Sequence, residues 1–172
     1  ATLCNFTEIN RILGGSASDT LTTLNEDSTF IIDGDNAGSY LRGDYLLEFV
    51  SFDNLIAGSG NDTFFFIGNG TIKDTINGGA GNDTFDYSGY LSGVDVDLSI
   101  GEATGVNGGL AGNVTGVENL IGSPFNDSLT GDDGANLING NGGNDTLSGL
   151  GGDDTYIFTA GWGVDTIIET EV

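Results

Sequence analysis

A nine-residue unit recurs nine times along the chain, with a glycine-rich first half, an Asp or Asn at its sixth place and an apolar residue at its eighth. The units start at residues 14, 57, 69, 78, 122, 131, 140, 149 and 160, and Gly78-Gly79-Ala80-Gly81-Asn82-Asp83-Thr84-Phe85-Asp86 shows the pattern in full. The sixth places are Asp19, Asp62, Asp74, Asp83, Asp127, Asn136, Asp145, Asp154 and Asp165. The eighth places are Leu21, Phe64, Ile76, Phe85, Leu129, Ile138, Leu147, Tyr156 and Ile167. Two linked chemistries repeated at one period mark a single structural turn used over and over, and that confines the chain to a solenoid.

Within a unit the glycines permit positive φ and close approach of backbones, so the first six residues form a tight turn whose carbonyls gather at one place. The last three residues extend as a short strand. Alternation with period two sends Asp83 and Phe85 to the same side of the chain, the carboxylate at the rim of the turn and the ring at the start of a core. Backbone carbonyls and carboxylates supply only oxygen. That donor set suits a hard cation such as Ca²⁺, which takes six to eight oxygens. The sequence has no His and one Cys, Cys4, so the usual nitrogen and sulfur sites for zinc, copper or iron cannot be assembled.

These units resemble the nonapeptide of the repeats-in-toxin (RTX) family, Gly-Gly-x-Gly-x-Asp-x-hydrophobic-x. The resemblance implies an all-β fold: a right-handed parallel β-roll or β-helix solenoid with calcium ions between stacked turns. It also implies the ligands. They are the nine sixth-place side chains and the turn glycines Gly58, Gly60, Gly79, Gly81, Gly140, Gly142, Gly143, Gly149, Gly151 and Gly152. Units 18 residues apart are expected to share ions, Asp127 with Asp145 and Asn136 with Asp154. Asp62 with Asp83 and Asp145 with Asp165 follow the same logic with short insertions. Four units depart from the pattern: Asn136 replaces Asp, Ser123-Pro124-Phe125 and Thr71-Ile72-Lys73 replace turn glycines, and Ala17 stands at a fourth place.

A longer duplication overlies the short one. Ile12-Leu13-Gly14-Gly15-Ser16-Ala17-Ser18-Asp19-Thr20 aligns with Ile76 to Thr84, and Phe52-Asp53-Asn54-Leu55-Ile56 aligns with Val117-Glu118-Asn119-Leu120-Ile121. The expected organisation is one continuous solenoid over 1–172, with cassettes at 12–75 and 76–137 and the start of a third at 138–172; the alternative, two or three small β sandwiches joined by linkers, is disfavoured because no Pro-rich or charge-rich linker separates the copies. Nonapeptide sections would alternate with wider coils. The sequence opens on Ala1 and closes within an apparent strand around Ile167, which reads as a segment of a longer protein or as a subunit that stacks on copies of itself.

The formal net charge is −23, with Arg11, Arg42 and Lys73 the only cations, so nucleic acid is excluded as a partner. Hydrophobic residues make up 37% and are placed periodically, which sets the chain apart from disordered acidic sequences. No run is long and apolar enough for membrane insertion. Catalysis by a Ser-His-Asp triad or a His-ligated zinc is ruled out by the missing His. The carboxylate pairs Asp132-Asp133 and Asp153-Asp154 fall inside the repeat and read as ligands or solvated turns. Trp162 reads as a core plug or as an exposed contact, and Arg42-Gly43-Asp44 matches an integrin-binding tripeptide only at the level of chance. No enzyme activity is expected within the segment. The expected function is a calcium-stabilised structural module of a secreted bacterial surface protein: an adhesin stalk, surface layer or extracellular filament subunit. Its partners would be calcium and either copies of itself or adjacent solenoid repeats. The alternative is an RTX secretion and folding module appended to an extracellular enzyme or cytolysin.

Overall fold

The computed structural model describes residues 10–158 and 163–169; Cys4, Trp162 and the start of the ninth unit lie outside them. Every regular element among the described residues is a strand. The chain enters through β1 (Arg11–Leu13) and β2 (Thr20–Thr22), and β3 (Thr29–Gly34) then leads into an excursion, β4 (Ala37–Arg42) and β5 (Tyr45–Val50). Coiling resumes with β6 (Asn54–Ile56), β7 (Thr63–Gly68), β8 (Thr75–Asn77) and β9 (Thr84–Tyr90). A long coil carries β10 (Asp95–Asp97), β11 (Glu102–Ala103) and β12 (Val114–Thr115). Short strands follow, β13 (Asn119–Ile121), β14 (Ser128–Thr130), β15 (Leu137–Asn139), β16 (Thr146–Ser148), β17 (Thr155–Tyr156) and β18 (Thr166–Ile167).

These strands stack into a parallel β-roll. One sheet runs the length of the described chain in the order β1-β5-β4-β3-β7-β9-β13-β15-β17. It is faced by two shorter sheets, β12-β8-β6-β2 and β11-β10-β14-β16-β18. From β13 onward the chain alternates strictly between the long sheet and the five-stranded one, one nonapeptide per strand. The coil between β9 and β13 touches both short sheets, since β10 pairs with β14 and β12 pairs with β8. That single coil joins a wider first half to a narrower second half. The two copies of the long duplication sit half a coil out of phase: β6 lies in the four-stranded sheet and its counterpart β13 in the long sheet.

The core is built from ladders of the apolar residues that the period predicts. Phe30, Phe64, Phe85, Leu120 and Ile138 follow one another in register along the long sheet, each fully buried. Leu21, Leu55, Ile76 and Val114 face them from one short sheet, and Val96, Leu129 and Leu147 from the other. Phe64 and Phe66 both point inward; Phe30 stacks on Phe64 at 4.8 Å between ring centroids, and Phe66 on Tyr87 at 4.6 Å. These rings lie above their equivalents in the next coil, so aromatic area is buried between the coils of the first half, and Leu120 and Ile138 continue the ladder with aliphatic side chains.

The β4–β5 hairpin is the one insertion of antiparallel character into the long sheet. Its two-residue loop, Gly43-Asp44, has φ +55° at Gly43, a hairpin turn that glycine adopts without strain. The Arg42-Gly43-Asp44 triplet is this turn, and the Arg42 guanidinium lies 3.3 Å from the Glu26 carboxylate.

Candidate metal centre

In the six units that open on glycine the turn folds its sixth-place side chain back over its first residue. A Cβ on Gly78 would lie 2.5 Å from Asp83 Oδ2, and one on Gly140 or Gly122 would lie 2.3 Å from the Oδ2 of Asp145 or Asp127. Gly149 and Gly131 stand in the same relation to Asp154 and Asn136, at 2.0 Å and 2.1 Å. The next turn adds a carbonyl at the same spot: Gly116 O is 1.7 Å from the Gly78 Cβ position, and Gly140 O is 2.6 Å from that of Gly122. First-place glycine therefore keeps open a cradle where a side-chain oxygen and a main-chain oxygen converge. Fourth-place glycines have a different task. Cβ atoms on Gly60, Gly81, Gly143 and Gly152 would strike the backbone of the preceding turn, and Gly81, Gly143 and Gly152 have φ of +140°, +121° and +103°. Gly58 and Gly79 are pinned in the same way, whereas Gly142 and Gly151 have room for a side chain, consistent with Ser59, Ala80 and Pro124 at other third places.

Stacked turns are tied by one recurrent bond, a sixth-place amide donating to the carboxylate of the following turn. The Asp62 amide donates to Asp83 Oδ1 at 2.7 Å, Asp127 to Asp145 Oδ1 at 2.9 Å, Asn136 to Asp154 Oδ1 at 2.9 Å and Asp145 to Asp165 Oδ1 at 3.0 Å. The structure thus brings together every pair that the spacing predicts. Three residues outside the nonapeptide count extend the same ladders. The Asp83 amide donates to Glu118 Oε2 at 2.8 Å, the Asp19 amide to Asp53 Oδ2 at 3.1 Å, and the Ser28 hydroxyl donates to Asp62 Oδ1. Glu118, Asp53 and Ser28 each precede a buried apolar residue by two positions, namely Leu120, Leu55 and Phe30. That spacing is the signal that could have found them.

In Asp62, Asp83 and Asp145 one carboxylate oxygen is used in this ladder and the other is left over. Oδ2 of Asp62, Asp83 and Asp145 is buried without a hydrogen-bond partner, in side chains at most 2% exposed. An unpaired buried carboxylate oxygen is costly, and the charged form is disfavoured. Burial accordingly pushes the Asp83 carboxyl up to about 7 and Asp127 up to about 6, and raises Asp62 and Asp145. Asp127 also differs in its partners, since the amide and hydroxyl of Ser123 and the Val94 amide take up its oxygens. An orphaned oxygen in a glycine-lined cradle beside turn carbonyls fits a hard cation, which would restore the charge and replace the missing partner. Among the described residues no three acidic side chains cluster, so carbonyls would have to complete any such shell.

The remaining predicted residues are placed differently. Asp19 is half-buried and its Oδ2 accepts from the Gly15 amide of its own turn. Asp74 Oδ2 accepts from the Ser18 hydroxyl at 3.0 Å.

Segments 51–65, 73–89 and 118–156 match the family model of the RTX calcium-binding nonapeptide repeat, in four copies. A search of curated proteins finds no match to this chain.

Proposed function

Because this chain is built on RTX calcium-binding nonapeptide repeats, which bind calcium ions, we propose that it is a calcium-stiffened rod element of a secreted bacterial surface protein. The observation that carries this reading is the continuity of one ladder through nonapeptide and long coils alike. Ser28, Asp62, Asp83, Glu118, Asn136 and Asp154 follow each other turn by turn, with Asn136 Nδ2 donating to the Glu118 carbonyl at 2.9 Å. An unbroken edge of this kind makes one stiff body from both cassettes. The ligands we assign are the orphaned oxygens of Asp62, Asp83 and Asp145, with the stacked side chains of Asp127, Asn136, Asp154, Asp165 and Glu118 and the turn carbonyls beside them. Asp19 and Asp74 stand at the margin of this set. The role is structural, and the compartment is one where calcium is plentiful.

Association with like coils belongs to the same reading. Val164, Ile167 and Ile168 are exposed on the last described coil, and β17 and β18 each lie at the end of their sheets, a surface that fits another coil of the same kind. Electron microscopy of the protein in calcium and in EGTA tests the proposal. Elongated particles in calcium that lose their shape in EGTA are expected; the same compact globule in both conditions would overturn the rod.

A further inference from the structure

Two corners of the roll are built alike. At one, the Asp53 and Asn54 amides both donate to the Asp19 carbonyl at 3.0 Å while the Asp19 amide donates to Asp53 Oδ2. At the other, the Glu118 and Asn119 amides donate to the Asp83 carbonyl at 3.1 and 2.9 Å while the Asp83 amide donates to Glu118 Oε2. These are the duplicated segments 52–56 and 117–121. The next turn completes each corner on the carbonyl of the acid: the Asp74 amide on Asp53 and the Asn136 side-chain amide on Glu118. Lys73 and Ala135 therefore occupy equivalent places, each just before that residue.

The corners differ in how the acidic charge is met. Asp53 Oδ1, the oxygen the ladder leaves over, accepts from Lys73 Nζ at 3.1 Å and from Asn36 Nδ2 at 3.1 Å. Asn36 also accepts the Lys73 amide at 2.7 Å, which holds the base of the lysine against the same carboxylate. Asp53 is buried, 7% exposed, and neither of its oxygens is orphaned. At the second corner Glu118 is the counterpart of Asp53, Ala135 brings no charge to it, and the Oδ2 of Asp83, which donates its amide to Glu118, is orphaned. We infer that Lys73 takes the place of a calcium ion at the Asp53 corner, so the roll has one corner closed by a cation it carries itself. The inference rests on calcium occupying the other corners. The closure of this edge then needs no external ion and is formed at calcium concentrations where the remaining turns are open.

Anomalous diffraction from calcium-grown crystals separates this inference from the reading beneath it. Calcium beside Asp83 and Asp145 and none beside Asp53 is the expected map. An ion coordinated by Asp53 overturns the inference, and absence of calcium from all corners overturns the calcium reading itself. Equilibrium dialysis of radioactive calcium on a reciprocal pair gives the second arm. Lys73→Ala should bind one ion more than the native chain and Ala135→Lys one ion fewer; an unchanged count in both variants overturns the exchange. Should Lys73→Ala fail to fold at any calcium level, the native map and Ala135→Lys decide.

Discussion

A single carboxylate in this roll has two separate jobs. Oδ1 of Asp145 accepts the Asp127 amide and so welds two coils, while Oδ2 lies buried without a hydrogen-bond partner and is the oxygen we assign to calcium. In Asp19, by contrast, Oδ2 is taken by the Gly15 amide of its own turn. Asp145→Ala is therefore expected to raise the calcium midpoint of folding about tenfold and Asp19→Ala less than about twofold, as free-ligand linkage relates sites to stability. Equal shifts in calcium titrations of the two variants would contradict the stacked geometry. Protons compete for the same oxygens. With Asp83 near 7 and Asp127 near 6 in the metal-free fold, against an ordinary 3.8, the folded chain binds protons more tightly than the unfolded chain. The metal-free fold thus gains stability as pH falls from about 7 towards about 4, and loses it as pH rises through that window. In EGTA more β signal should survive at about pH 5 than at about pH 8, and calcium affinity should climb between those values; an EGTA melting curve independent of pH would refute this linkage.

At the scale of strands and turns, the nonapeptide period placed the eighth-place residues that face the core, because a buried ladder demands one apolar residue per strand and tolerates nothing polar there. It missed Asp53 and Glu118: no glycine stands in the five residues before Asp53, where Ser51 takes the positive φ, and Gly116 is the lone glycine in the five before Glu118, so the glycine-rich signature that exposes other units is missing. It also missed the β4–β5 hairpin. Gly43-Asp44 between alternating residues was a fair turn signal, but the surrounding period pointed to another parallel coil. The candidate sites were legible as pairs through the spacing of their acids; that one oxygen bonds a neighbour and the other is orphaned is a matter of geometry that no spacing encodes. Among the elements, β7 and β9 carry the densest aromatic packing, with Phe85 edge-on to Phe64, Phe66 and Tyr87. Phe85→Ala in saturating calcium should cost about 3–5 kcal/mol in urea unfolding, from lost burial and the cavity left behind. A loss under about 1 kcal/mol would mean that neighbouring rings collapse into the gap.

For the whole molecule, the −23 charge is spread over coils that touch only their neighbours. Without cations the edges repel, and with them the same edges hold. Circular dichroism at neutral pH should show a largely unfolded chain in EGTA and a β-rich one in millimolar calcium, and identical folded spectra would sink the idea that calcium drives folding. The coils are of unequal length. Successive ladder contacts are separated by 18 residues between Asp127 and Asp145 but by 35 between Asp83 and Glu118. Pulled from its ends, such a stack should peel coil by coil, each release paying out thread in proportion to the residues freed. Steps of about 60 Å from the narrow end and about 120 Å from the wide coils follow from the reach of an extended chain. A force–extension trace in calcium would then read like a ruler with two gauges, and in EGTA the graduations should fade.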